Sequence, residues 1–181
     1  MHAGPVLAHA DQPAPEGGID DPPRHEKADE QNDERIAVIG AAPEIVLEYA
    51  EERGLSTGVI TNDSVAGATP AACYAHSNNR SDTAGIIAQL GKPLAGNGVD
   101  LVLGPGRSAI YKATAAAGLD LDAMLRTAGY SRLSSPEELR PDTTRAIGLT
   151  DAPDYDLSAV VANAVAALSR NPKGYFLMVE W

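Results

Sequence analysis

Apolar and polar residues along this chain follow a helical rhythm in some stretches and a strand-like rhythm in others, and the two alternate through its last three-quarters. "PEIVLEYAEERG" (43–54) carries Pro43 in a first turn, Ile45, Val46, Tyr49 and Ala50 on one helical face, and Gly54 as a stop. "TGVIT" (57–61) is a short β-branched run and predicts a strand. Asp82 stands where "TAGIIAQL" needs a cap, and "VDLVLG" (99–104) predicts the next strand. "LDAMLRTAG" (121–129) predicts a helix closed by Gly129. In "SPEEL", Ser135, Pro136 and Glu138 occupy the cap, first and third positions of a capping box. "RAIGL" (145–149) predicts a strand. "DLSAVVANAVAALSR" aligns Leu157, Val160, Val161, Ala164, Val165 and Leu168 in one stripe, an amphipathic helix. The run from Tyr175 to Val179 predicts a buried strand, tipped by the carboxylate of Glu180. Strands alternating with helices imply a mainly parallel sheet covered on both faces, an α/β fold. In such sheets ligands bind beyond the carboxyl ends of the strands, and Glu180 falls at one.

Composition narrows the function classes. A chain of 181 residues buries one core of ordinary size, so one domain is expected. Residues 1–34 are rich in Pro, Gly and acid with almost no large apolar side chains. Such a segment cannot offset its ordering entropy by burial and is predicted to be a disordered acidic tail, with order beginning near Arg35. The net charge is −11, and no basic face accumulates, which argues against a nucleic-acid partner. No run approaches the ~20 apolar residues of a membrane span. The N-terminus has no basic region and too short an apolar core for a secretion signal. A single cysteine, Cys73, excludes an internal disulfide.

Two stretches invite a chemical reading. "LGPGRS" (103–108) lacks both the third glycine of a dinucleotide loop and the Gly-Lys-Ser/Thr of a phosphate loop, so a tight turn after a strand accounts for it better. His2, His9 and His25 lie in the tail and His76 stands alone, so histidines alone do not predict a closed metal site. In "DSVAGATPAACYAHSNNR" (63–80), Thr69 precedes a proline, which disfavours helix at that residue and presents its hydroxyl from a turn or strand end. "PAACYAH" then predicts a short helix with Arg80 just past it. On composition alone this is a surface turn and a solvated arginine.

Three stretches in order change that reading: "GLSTGVITNDSVAGATPAACYAHSNNR", "DLVLGPGR" and "LSRNPKGYFLMVE". Together they resemble the alkaline phosphatase family of metal-dependent phosphomonoesterases, over roughly residues 36 to 180. The resemblance implies a three-layer α/β/α fold with a mainly parallel sheet, here incomplete, over residues 35–181. It implies that Thr69 and Glu180 bind a magnesium ion, in keeping with a hard cation's need for oxygen ligands. It also implies that Arg80 holds two phosphate oxygens with its planar fork. Gly67 stands where many family members carry Asp or His, which thins the surroundings of the magnesium site.

The same resemblance marks what these residues do not carry. The family's serine nucleophile lies upstream of the first helix, yet residues 1–55 contain neither serine nor threonine, and Ser56 opens a strand. The family's zinc ligands include residues beyond its glutamate, where this sequence has Trp181. The expectation is a central, truncated piece of an alkaline phosphatase with a partial magnesium site, no catalytic residue of its own and no activity alone. The alternative is a non-enzymatic module that keeps Arg80 to bind phosphate or sulfate. Expected partners are a phosphomonoester or phosphate and a second copy or complementing chain, with neither nucleic acid nor membrane. Family members are typically periplasmic or secreted, so the compartment stays open.

Overall fold

The computed structural model describes residues 45–181. The predicted disordered tail, the boundary near Arg35 and Pro43 of the first predicted helix lie outside the described residues. Among those residues, strands β1 (Ser56–Thr61), β2 (Leu101–Pro105), β3 (Ser131–Leu133), β4 (Ala146–Thr150) and β5 (Tyr175–Glu180) form one sheet in the order β3-β4-β2-β1-β5. Every pairing is parallel. The helices are α1 (Val46–Glu52), α2 (Ala68–Tyr74), α3 (Thr83–Ala88), α4 (Arg107–Ala116), α5 (Leu121–Thr127) and α6 (Leu157–Leu168).

Side chains alternate across a strand, so each strand feeds two cores. On one face Val59, Val102 and Ile147 meet Leu47, Ala71, Ile86, Ile87, Ile110 and Leu125, drawn from α1 through α5. On the other, Ile60, Leu101, Leu103 and Ala146 meet Val160, Ala164 and Leu168 of α6 with Leu139 and Tyr155. Fully burying one such aliphatic side chain contributes about 1.5–3 kcal/mol, so the two layers together hold the sheet. This is the three-layer parallel arrangement that the alternating pattern predicts.

Several local expectations need correction. α1 turns Leu47, Ala50 and Glu51 inward, while Val46 and Tyr49 are exposed. The Arg53 guanidinium covers the Tyr49 ring, 3.1 Å from its centroid, and keeps part of that surface from water. α2 starts earlier than expected and contains Thr69 and Pro70 in its first turn. A proline there forfeits only an N–H that would have had no helical partner, so the restriction on the preceding residue is overridden. The turn after β2 is present, with Gly106 at φ 109°, but it also begins the ten-residue α4, which turn chemistry alone did not reveal. β3 was not predicted, because three residues, two of them exposed, carry too little pattern. "SPEEL" forms a single 3₁₀ turn in which Glu138 Oε2 accepts from the Ser134 N–H, one residue short of the expected box.

The largest correction concerns β5. Among the described residues it is an edge strand, paired only with β1, and Tyr175 and Val179 are 39% and 42% exposed. Its apolar run reads as buried because three residues, Phe176, Leu177 and Met178, do pack on the two cores.

Candidate functional site

The carboxyl ends of β1 and β5 meet in register, with Thr61 opposite Glu180. Thr61, fully buried, donates from Oγ1 to Glu180 Oε2 at 2.6 Å. The Asn62 N–H donates to the Glu180 carbonyl at 3.1 Å, which extends the ladder one residue past the strand. Glu180 is therefore held by backbone and side chain at the lip of the sheet. Tyr155 anchors the same corner from below: its hydroxyl donates to the Thr61 carbonyl, and its ring meets the Trp181 indole edge-on at 5.9 Å.

From Thr61 the chain turns through residues 62–67 into α2. The turn is built from short-range bonds: the Asp63 N–H donates to Thr61 Oγ1 at 3.0 Å, and the Gly67 N–H to the Ser64 carbonyl at 2.7 Å. Tyr74 ties the helix back by donating from its hydroxyl to the Val65 carbonyl at 2.7 Å. Burial pushes the Tyr74 phenol far above its ordinary range, so it stays a donor.

α2 packs on both β1 and β5. Thr69 lies in its first turn and is exposed, and Cys73 follows one turn later, donating from Sγ to the Thr69 carbonyl at 3.6 Å. Burial pushes the Cys73 thiol up, and the nearby Glu180 charge pushes it the same way. Glu180 therefore belongs to the surroundings of this helical face. No hydrogen bond joins Thr69 to Glu180 among the described residues. Arg80 is exposed in the turn leading to Asp82, the cap of α3, and makes no hydrogen bond or ion pair there among the described residues.

Gly67, the N-cap of α2, has no room for a side chain without adjustment: a Cβ would meet the Ser64 carbonyl oxygen at 2.8 Å and Asp63 Oδ2 at 3.5 Å. The donors around this corner are hydroxyl and carboxylate oxygens, a set that suits a hard divalent cation. Among the described residues no three His, Cys, Asp or Glu side chains converge as a metal cluster. The site is thus an open set of oxygens.

The other end of the sheet carries a different cluster. A small cleft of about 20 Å³ is lined in part by Glu48, Glu51 and Gln89. His76, solitary in sequence, pairs there with Glu48 through Nε2 at 2.8 Å. Glu51 accepts from Thr57 Oγ1 at 2.6 Å. These carboxylates already have protein partners.

Sequence reasoning singled out Thr69, Arg80 and Glu180 but missed Thr61, the side chain that bonds Glu180. The signal for Thr61 is its place as the last residue of a β-branched run directly before an Asn-Asp-Ser turn, the position at which a parallel strand presents a side chain to the lip of the sheet.

With this geometry in view, comparison with known proteins is specific. The family described as alkaline phosphatase matches residues 29–132. Alkaline phosphatase 4 of Bacillus subtilis is 30% identical over 149 residues, covering 75% of this chain and 32% of that protein. The tissue-nonspecific alkaline phosphatase of Rattus norvegicus is 28% identical over 183 residues, covering 75% of this chain and 35% of that one. Among solved structures, the alkaline phosphatase of the Antarctic bacterium TAB5 superposes with a TM-score of 0.65 at 23% identity, covering 78% of this chain and 43% of that one. The cold-active enzyme of Shewanella sp. superposes with a TM-score of 0.58 at 31% identity, covering 73% and 33%. A variant of the TAB5 enzyme has been solved with magnesium bound.

The chain belongs to the alkaline phosphatase family. It spans about a third of the length of the curated relatives it matches.

Proposed function

We propose that these residues form the magnesium- and phosphate-holding part of a phosphomonoester-hydrolase site, and that the 181-residue chain by itself has no turnover. The observation that carries the reading is the Thr61–Glu180 hydrogen bond at the lip of β1 and β5, beside the helix that bears Thr69. Glu180 and Thr69 would hold the magnesium, as the family resemblance implies, and Thr61 orients Glu180 by donating to one of its oxygens. When bound, the ion supplies charge stabilisation at phosphoryl oxygens. Arg80, exposed and free of competing carboxylates among the described residues, offers its planar donor fork to two of those oxygens.

Phosphomonoester hydrolysis is among the slowest uncatalysed reactions, and anchoring the phosphate is not sufficient for it. An activated nucleophile is also required. Residues 1–55 carry no hydroxyl for that role other than Tyr49, and Ser56 lies at the amino end of β1, away from Glu180.

Titration calorimetry with phosphate, with and without magnesium, tests the reading. Phosphate is expected to bind more tightly in magnesium and to lose that binding in Arg80→Ala. In a p-nitrophenyl phosphate assay with zinc and magnesium, the chain is expected to match the buffer blank. Turnover that survives purification and vanishes in Arg80→Ala would overturn the inactive state and make Ser64 the first nucleophile to test. The exposure of Arg80 also favours a second reading, a metal-independent site for phosphate or sulfate. Phosphate affinity indifferent to magnesium would select it.

A further inference from the structure

We propose that Gln89 is a positioning residue for Arg80, fixing where the loop that carries the guanidinium sits on the core. This role rests on the phosphate-holding reading of Arg80 above and identifies the side chain on which it depends.

The loop runs from His76, just past α2, to Gly85 in the first turn of α3. Its own bonds give it a shape. The Asn79 N–H donates to Ser77 Oγ at 3.1 Å, the Ser81 N–H to Asn79 Oδ1 at 3.0 Å and the Asp82 N–H to the Asn79 carbonyl at 3.0 Å. Such bonds move with the loop and do not fix its place relative to the sheet. Arg80 is exposed and makes no bond of its own among the described residues, so its place is set by the backbone beneath it.

Gln89 holds that backbone. Its Oε1 accepts from the His76 N–H at 2.8 Å, and its Nε2 donates to the His76 carbonyl at 2.9 Å and to the Gly85 carbonyl at 3.2 Å. One amide thus grips the loop on both sides of Arg80. Gln89 stands at the end of α3 between the buried Ile87 and Leu90, so the grip is anchored in the core. A second strut meets the same point. His76 Nε2 pairs with Glu48 Oε1 at 2.8 Å, and Glu48 Oε2 accepts from the Ile45 N–H at 3.1 Å, at the start of α1. The entry to the loop is therefore tied to α1 and α3, whose Leu47, Ile86 and Ile87 pack in one core. A guanidinium that presents two N–H groups to two oxygens at once is sensitive to the tilt of its backbone, whereas the point charge of an ammonium is far less so.

The experiment is phosphate titration calorimetry in magnesium on the full chain, on Arg80→Ala, Gln89→Met and Arg80→Lys, and on the double variant of the last two. Magnesium is titrated separately without phosphate. Gln89→Met keeps the length of the side chain and removes its donors and its acceptor. It is expected to weaken phosphate about 10-fold, to leave magnesium affinity unchanged and to add little further loss to Arg80→Lys. An equal loss from Gln89→Met in both backgrounds, or a magnesium affinity that falls with it, overturns the proposal, because Gln89 would then be supporting the fold at large. Unchanged phosphate affinity in Gln89→Met, beside an Arg80→Ala that has lost it, overturns the role of Gln89 and leaves the site as first proposed. If the unmodified chain binds no phosphate, or Arg80→Ala binds it equally well, the proposal and the reading beneath it fall together.

Discussion

Glu51 looks like a solvated position on a surface helix, yet it is only 7% exposed. It sits at the amino end of the sheet among groups brought from four segments. Thr57 Oγ1 donates to it at 2.6 Å, and the Thr57 N–H donates to Asp100 Oδ2 at 3.0 Å. With its amide oriented to satisfy both neighbours, Asn97 donates to Glu51 Oε2 and accepts from Arg145 Nη1, each at 2.9 Å. Burial raises both the Glu51 and the Asp100 carboxyl above their ordinary values, although hydrogen bonds and Arg145 pull the other way. A carboxyl whose folded-state pKa is raised favours the fold in its protonated form. Its stabilising contribution is present below the unfolded value and is lost as pH rises through the raised one. Glu51→Gln, neutral at every pH, is therefore expected to gain stability relative to the unmodified chain between pH 4 and pH 8, read as the shift in urea midpoint. An unchanged difference would show that Glu51 titrates as if in water. Thr57→Val removes the donor from a buried carboxylate and is expected to cost about 2 kcal/mol at pH 7 by the same measurement.

Elements are set by smaller devices. β5 enters the sheet through the turn "NPKG", where Asn171 Nδ2 donates to the Gly54 carbonyl at 2.8 Å and Asn171 Oδ1 accepts from the Lys173 N–H at 3.0 Å. This side chain ties the start of β5 to the end of α1. Asn171→Ala is expected to cost about 1 kcal/mol and to speed amide exchange selectively along residues 175–180. Uniform acceleration across the sheet would contradict that assignment. β1 and β2 impose a stricter condition. Gly104, at φ 153°, faces the Thr61 carbonyl, and a Cβ there would lie 2.5 Å from that oxygen. Gly104→Ala is expected to cost about 3 kcal/mol in denaturant unfolding, since backbone cannot give way as a side-chain tip can. Because the same carbonyl accepts from Tyr155, the substitution should also disturb the corner that carries Glu180. The helix α6 was legible because its stripe is long. β3 was not, because three residues cannot display a period.

At the scale of the molecule, the net charge of −11 surrounds any cation site with a negative field. Magnesium affinity is expected to weaken several-fold as salt rises from about 0.01 to about 0.15 M, because the screening length falls from about 30 Å to about 8 Å. Salt-independent affinity would mean that only the immediate ligands matter. What the sequence determined alone was the alternation of strand and helix, hence a parallel sheet with two covered faces, and the placing of Glu180 at a strand's carboxyl end. Those follow from local periodicity, and a period is a property of neighbours along the chain. The three quoted motifs also carried the family. Tertiary structure decided what pairing and packing decide. Among the described residues β5 became an edge, since strand order depends on the competition among strands for partners. Glu51 turned inward, since its partners Thr57 and Asn97 arrive with other elements. Thr61 met Glu180 across 119 residues, since register between two strands is settled by the side chains both must bury and cannot be read from either strand alone.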